Sequence, residues 1–513
     1  MNNVHIEMRS RLHGLALSIS ALLLTACVSS PQFDAASTIT QAPVSLHTAN
    51  ESTSVSAWPA TDWWTQFNDD TLNSLISQAL KTAPSLASAE ARFSTARATV
   101  QLTDADGLHI EAYADASRQR LSDNGLFSPK FLGFNWYNQA DLGLKGSYAF
   151  DFWHKRSNSV AAAVDDAHTA QAQRDSVALS LSTAIAQSYF GWQSDEIQIS
   201  ILSSQQQLAE KRRDIVKARV DAEVEVVDGL YVADMEIANL RELIAAGQHS
   251  AQLRRVTIAA LLGVSVDALP AFTQRALPPV ELQLPNNLGI DLLGRRPDIN
   301  ASRWQVEAAQ RRVQSARAEF FPDISISALA GLSSIQFDKL LEAGSAAPSI
   351  GAAIHLPIFD SGRLRAQYGL RATQVNAAIL SYNETVVNAA RDVALYATQM
   401  QQIAAQQQER KAQFAAAESL LDVATARNQQ GLSDARAKLS AQQSLQQQQL
   451  AMNNLNAAAI AAQINLVMAL GGGYQSADQT ADHLGAELNK QPSNQSATKP
   501  ATSDEAALAA SAK

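Results

Sequence analysis

Two groups of side chains in this chain could do chemistry. The first is a single thiol. Cys27 is the only cysteine, and it closes the run Leu24-Thr25-Ala26-Cys27. Ahead of it stand Arg9 and Arg11 and then an apolar stretch from Leu15 to Leu24, the layout of a secretory signal peptide. Leu-x-Ala-Cys at that place looks like a bacterial lipobox, where the thiol takes a lipid and becomes the new N-terminus. The expected signal segment is 1–26 and the lipidation site is Cys27. A lone cysteine has no partner for an intramolecular disulfide, even in a compartment that would permit one. The second group is a set of carboxylates beside two expected turns. Asp221, Glu223, Glu225 and Asp228 crowd the first, and Asp434 stands at the second with Arg436 and Lys438 next to it. In an oligomer every such residue becomes a ring of like charge, and carboxylate rings select for cations and can hold a constriction. Turns are also polar simply because water covers them, so both alternatives stand at this point.

Little else invites a catalytic reading. Past residue 26 there are seven histidines, and no two fall within four positions, so no helical zinc pair exists. There is no Gly-x-Ser-x-Gly elbow and no phosphate loop. Gly143-Leu144-Lys145-Gly146 reads as a strand glycine pair, and Asp165-Asp166 as a solvated helix face. No enzymatic activity is expected, and no cofactor apart from the covalent lipid on Cys27. The formal net charge of -9 argues against a nucleic-acid footprint. Hydrophobic residues make up 46% of the 513, yet past the N-terminus no run approaches the roughly 18 needed for a spanning helix. Membrane insertion would have to use strands.

The elements that position these groups are long and repeated. Residues 362–470 hold 26 Ala and 18 Gln, with no proline from 358 to 491, and they break once, near Gly431. A second such stretch lies between Pro129 and Pro270. Helices of that length run about 100 Å at 1.5 Å per residue. Two constant offsets relate the halves. Ala96, Val100 and Gln101 match Ala309, Val313 and Gln314, while Arg219, Leu262 and Gly263 match Arg427, Leu470 and Gly471. Each half reads as helix, strand, loop, strand and two long helices. The first repeat is expected over 57–284, with strands at about 110–118 and 140–151 and helices at about 155–220 and 229–262. The second is expected over 285–473, with strands at about 323–332 and 349–358 and helices at about 362–428 and 434–470. Residues 27–56 read as a linker from the lipid, and 474–513 as a disordered tail.

The strands alternate apolar and polar residues, as outer-membrane strands do. A half-buried soluble sheet would alternate in the same way. Aromatic placement separates the two. Of the chain's 31 aromatic residues, 10 lie in 113–153, which aromatic girdles at the membrane interfaces would explain. Four strands cannot close a barrel, and lipid does not tolerate an open edge. Several copies must therefore share the closure, and three copies would supply twelve strands. The Ala, Gln and Ser of the long helices suit close packing with one face lining water, and Gln446 to Gln449 fit such a wetted wall.

The chain resembles the TolC-type outer-membrane factors, in the lipoprotein branch that serves tripartite multidrug pumps. The resemblance rests on Trp63-Trp64 with Phe67-Asn68-Asp69, on Leu293-Gly294-Arg295-Arg296-Pro297-Asp298-Ile299, on Phe320-Phe321-Pro322, and on Leu356 to Leu364 with its Pro-Ile-Phe-Asp-Ser-Gly-Arg core. It implies a mainly α protein with a membrane β-barrel: a homotrimer with a 12-stranded barrel and a periplasmic α-helical tunnel. It implies an outer-membrane location, no catalysis, and two partners besides lipid: a periplasmic adaptor and an inner-membrane RND-type transporter. The cargo would be drugs or other small toxic compounds, conducted passively. A protein-secretion exit duct and a pore-less structural lipoprotein are the rival readings. The candidate periplasmic gate is Asp221, Glu223, Glu225, Asp228, Asp434 and Arg436. Three departures from the family pattern stand out. His154-Lys155 replaces Gly-Arg or Gly-Lys, and reads as a strand-end substitution rather than a ligand. Glu223 replaces Gly, and Ala435-Arg436-Ala437-Lys438-Leu439 replaces an acidic segment.

Overall fold

The computed structural model describes residues 38–39, 55–56, 58–124, 129–280, 284–285 and 294–475. Cys27, the signal segment and the tail from residue 476 lie outside them. Four strands form one antiparallel meander: β1 (Leu108–Arg120), β2 (Trp136–Phe150), β3 (Asp323–Ser334) and β4 (Ser349–His355), hydrogen-bonded in that order. The register puts Ile110 opposite Gly146, Ala328 and Ile350, and puts Glu111 opposite Lys145 and Leu329. Even-numbered residues of all four strands therefore share one face, since side chains alternate with period two. That face is apolar and open: Ile110 is 65% exposed, Leu144 54% and Ile350 76%. The opposite face carries Glu111, Asp115, Asp141, Lys145, Ser325 and Ser327, and Lys145 Nζ lies 3.7 Å from Glu111. β4 ends three residues short of the expected 358, because Pro357 has no N–H for the ladder. β2 begins four residues ahead of the expected 140, where Asn138 interrupts the apolar row that marked it in sequence.

On the polar face a glycine pair sets the spacing of the sheet. Tyr113, Gly143 and Gly331 are direct neighbours across β1, β2 and β3. A Cβ on Gly143 would sit 2.7 Å from the Gly331 Cα, and one on Gly331 would sit 2.7 Å from the Leu142 carbonyl and 3.2 Å from the Tyr113 hydroxyl. The tyrosine thus occupies the side of the sheet that the two glycines leave open, covering backbone that has no side chain of its own.

Among the described residues, seven helices longer than ten residues carry the rest of the fold: α1 (Asp70–Thr82), α2 (Pro84–Asp104), α3 (Lys155–Asp221), α4 (Asp228–Leu262), α5 (Pro297–Ala318), α6 (Arg363–Gln429) and α7 (Ala435–Ala469). α3 and α6 have 67 residues each, and α4 and α7 have 35 each. α2 and α5 both start with proline at the first turn, where the missing N–H costs nothing. One core gathers Leu72, Ile76, Ile185, Tyr189, Ile258 and Ile460 from α1, α3, α4 and α7. Another runs along α5 and α6 through Val306, Val313, Val375, Ile379 and Val386.

Strand passes to helix by the same device in both halves. Asp151 Oδ1 and Oδ2 accept from the N–H groups of Arg156 (2.9 Å) and Ser157 (2.8 Å). Asp360 Oδ1 and Oδ2 accept from those of Gly362 (3.0 Å) and Leu364 (2.8 Å). The Leu364 N–H bond holds the Asp360 carboxyl below its ordinary value. Partial burial opposes the same effect at Asp151, and the Ser157 and Arg156 bonds prevail. His154 is the N-cap of α3 at φ 59°, in the place that Gly362 fills for α6 at φ 86°. Its position is conformational: the chain needs a left-handed residue there.

α3 packs on α5 through charges as well as methyls. Arg312 binds Asp166, His168 stacks on Trp304 at 4.4 Å, and Asp165 is 7% exposed with Arg311 Nε 4.0 Å away. Burial, then the nearby Glu307, pushes the Asp165 carboxyl up from 3.8 to about 6. A raised carboxyl stabilises the fold below pH 3.8 and loses that contribution as pH rises through about 6. Asp165→Asn removes the loss. Its melting temperature should exceed the parent's at pH 7.5, and the gap should close by pH 4. Separately, Gly331→Ala should cost about 1–3 kcal/mol by overpacking β2 against β3, measured as a lower denaturant midpoint for the detergent-extracted protein.

Candidate functional site: the helix-turn mouth

The carboxylates singled out by sequence all lie where the long helices reverse. The two turns have one geometry. Val224 N–H bonds Arg219 C=O (2.9 Å) and Glu223 N–H bonds Val220 C=O (3.0 Å). Leu432 N–H bonds Arg427 C=O (2.8 Å) and Gly431 N–H bonds Asn428 C=O (3.1 Å). Both are Schellman caps, which need a left-handed residue after the C-cap. Gly431 supplies it at φ 70°, and Glu223 at φ 60°. The left-handed backbone accounts for the glycine of the family pattern, and Glu223 adopts the same conformation with a side chain in place.

The acidic residues play different parts. Asp434 is the N-cap of α7: its Oδ1 accepts from the N–H groups of Arg436 (2.7 Å) and Ala437 (3.3 Å), and Arg436 Nε donates to its Oδ2 at 2.9 Å. The Arg436 side-chain bond leads in holding the Asp434 carboxyl below its ordinary range. Asp221 takes Lys217 Nζ at 2.7 Å. Glu225 is held by Arg219 Nε at 2.8 Å and faces Arg436 Nη1 at 3.9 Å, so one carboxylate joins the two turns. Glu223 and Asp228, both exposed, make no ion pair among the described residues. The acidic cluster is thus largely neutralised within one chain, with Glu223 and Asp228 as its unbalanced charges.

Sequence reasoning missed the bonds that hold the turns together from behind. Arg212 Nη1 donates to Gln443 Oε1 at 2.6 Å, and Gln443 Nε2 donates to Glu236 Oε1 at 2.8 Å, tying α3, α4 and α7. Arg410 Nη1 reaches Gln448 at 3.1 Å between α6 and α7. Part of the Gln run therefore braces neighbouring helices rather than lining open water. The signal lay in the pairing of each Gln with a charged residue on another helix, which only the fold brings together. Between the turns the surface is apolar: Val226, Val232, Met235 and Leu432 are all more than half exposed.

A four-stranded sheet with one apolar face, two long hairpins of helix and turns of matched geometry define an outer-membrane channel subunit. The sequence profile described as outer membrane efflux protein matches residues 75–264 and 288–472. This chain belongs to the outer membrane efflux protein family. It is 34% identical over 438 residues to MdtP of Escherichia coli, a multidrug resistance outer membrane protein, with 82% of this chain and 88% of that one covered. It is 30% identical over 363 residues to MdtQ of Escherichia coli, also named a multidrug resistance outer membrane protein, covering 68% and 75%. Among solved structures, VceC of Vibrio cholerae, an outer membrane protein, matches at 31% identity with a TM-score of 0.73, over 82% of this chain and all of that one. The CmeC outer membrane channel of Campylobacter jejuni matches at TM-score 0.77 and 20% identity, over 89% and 96%, a likeness of fold alone.

A non-glycine residue in the left-handed region costs roughly 1–2 kcal/mol, partly offset by the greater unfolded-state freedom of glycine. Glu223→Gly should therefore slow amide exchange at Val224 several-fold. Glu223→Ala, which keeps a Cβ, should leave the rate within about twofold of the parent.

Proposed function

We propose that this chain is the exit duct of a tripartite efflux system, a homotrimer that conducts small toxic compounds passively across the outer membrane. The observation that carries the reading is the sheet. Its apolar face is exposed, and the outer edges of β1 and β4 have no strand partner among the described residues. Three copies joined edge to edge would make twelve strands, enough for a lumen. They would also set α3, α4, α6 and α7 of each copy side by side in a tunnel about 100 Å long. The names of MdtP and MdtQ support drug-like cargo. The exposed apolar turns support docking of a periplasmic adaptor, which would couple the duct to an inner-membrane RND-type pump.

Lipid on Cys27 fits the same assembly. Thr38 C=O accepts from Asn383 Nδ2 at 2.9 Å. Asn383 lies 20 residues along α6, about 30 Å from its strand end. Thr38 lies eleven steps along the chain from Cys27, enough to span about 36–40 Å and return the lipid to the membrane level. At the far mouth, Glu223 and Asp434 of three copies would ring a narrow entrance.

The detergent-extracted full-length protein should have the mass of three chains and a tube-shaped projection well over about 100 Å long. In planar bilayers it should show cation-preferring conductance, raised in the Glu223→Ala, Asp434→Ala double variant. A monomer would sink the channel reading. Unchanged conductance and selectivity in the double variant would remove these two residues from the gate.

A further inference from the structure

Four helices form a continuous wall below the barrel. Arg174 on α3 binds Glu90 on α2, Ser159 on α3 meets Ser315 on α5, and Gln367 on α6 meets Glu319, the C-cap of α5. The order across the wall is therefore α2, α3, α5, α6. A cavity of about 660 Å³ is lined by residues of all four. In the proposed trimer this open space is assigned to the inner side of the closed wall, the lumen.

This cavity is unlike the mouth. Three arginines line it, Arg92, Arg174 and Arg296, together with Asp298 and Asp392. The three cations differ in what they have left to offer. Arg296 is fully engaged: Nε and Nη2 bind Asp298 at 3.0 and 2.6 Å, and Nη1 binds the Ala469 carbonyl at 2.9 Å. Arg174 is fixed by Glu90 at 2.9 Å through Nε and by Asp175 at 2.8 Å through Nη1. Its Nη2 group makes no hydrogen bond among the described residues. Arg92 has a single partner there, the Ser88 hydroxyl at 3.4 Å. Arg92 and Arg174 thus present unspent N–H donors on the α2–α3 side. Across the cavity, Asp392 and Asp298 place carboxylates on the α6–α5 side. Arg391 holds Asp392 Oδ1 at 2.8 Å, and Asp392 Oδ2 has no hydrogen bond among the described residues.

We propose that this lumenal cavity is a transit site for small zwitterions, taking the carboxylate of the cargo on Arg92 and Arg174 and its cationic end toward Asp392. The guanidinium fork matches a carboxylate in shape and charge, and the bond is charge-assisted. The volume suits a drug-sized molecule. Mixed charge in the lining disfavours a bare polyanion, which would meet Asp298 and Asp392, and a simple cation, which would meet the arginines. The duct would then carry many compounds, with the cavity weighting their passage by charge pattern.

The site rests on the channel reading, since only closure of the wall makes its hollow side a lumen. Rhodamine B, a zwitterion, and its ethyl ester, which keeps the ring cation and lacks the carboxylate, are the probes. Fluorescence anisotropy with the detergent-extracted full-length protein should give rhodamine B at least about tenfold tighter binding than the ester. Arg92→Gln should reduce that preference to within about twofold without changing ester binding, and Arg92→Lys should keep most of it. Arg92 is exposed and pairs with one hydroxyl, so these changes leave the helix packing alone. Equal affinities for the two probes in the parent, or a preference that survives Arg92→Gln, would overturn the proposal. Bilayer conductance of the same preparations separates the two layers of inference. A conducting protein without carboxylate preference loses only the site, while a non-conducting one loses the duct, and with it the assignment of the cavity to a lumen.

Discussion

The constraint on which the fold depends is a pair of strand edges that have no partner among the described residues. β1 and β4 end a four-stranded sheet whose apolar face is exposed. In water such edges could bind solvent. In hydrocarbon each unsatisfied N–H or C=O costs several kcal/mol, and no single chain can close so short a sheet on itself. In the proposed trimer the edges would meet other copies, and closure by copies would bring rotational symmetry. Symmetry in turn would multiply each residue of the helices around an axis. A charge that would be trivial on a monomer would become one of a ring, and a hollow between four helices would become part of a bore.

The helical half is arranged to transmit that closure downward. Asp151 and Asp360 each clamp the start of a long helix with two backbone N–H bonds, immediately after the strand ends. The direction of each 67-residue helix is therefore set at its membrane end. Along the way, small side chains allow close approach, and cross-helix pairs such as Gln187 with Asn465 at 2.7 Å pin the helices against sliding. At the far end the matched Schellman caps turn both hairpins alike. The Glu225 bridge between Arg219 and Arg436 joins them within the chain.

How much of this was legible in the sequence depends on the range of the signal. Alternation with period two and unbroken Ala-rich helical stretches are local, and they disclosed the strands and the long helices. The 208-residue offset was also legible, and it pairs Glu223 with Gly431 and His154 with Gly362. What the bare pattern did not disclose was that these pairs share a left-handed backbone, so a steric need first looked like a chemical departure. The acidic turn residues were visible as a cluster. Their neutralisation was not, because Arg436 reaches Glu225 from more than two hundred positions away. The arginine-lined cavity had no sequence signal at all. Its residues are scattered over four helices, one or a few to each, and only packing gathers them.

The equality of the helix lengths has a consequence for how such a chain can change. α3 matches α6, and α4 matches α7, residue for residue in length. Both hairpins therefore reach the same depth, and in a three-copy assembly six tips would form a level rim. Deleting seven residues from α3 and seven from α4 would raise half of those tips by about 10 Å and leave the others in place. A flat rim would become a crown of alternating heights, and a partner seated on it would lose every second foothold. Lengthening and shortening are thus tolerable only when both halves of the duplication change together, so the two repeats are free to diverge in sequence but remain yoked in measure.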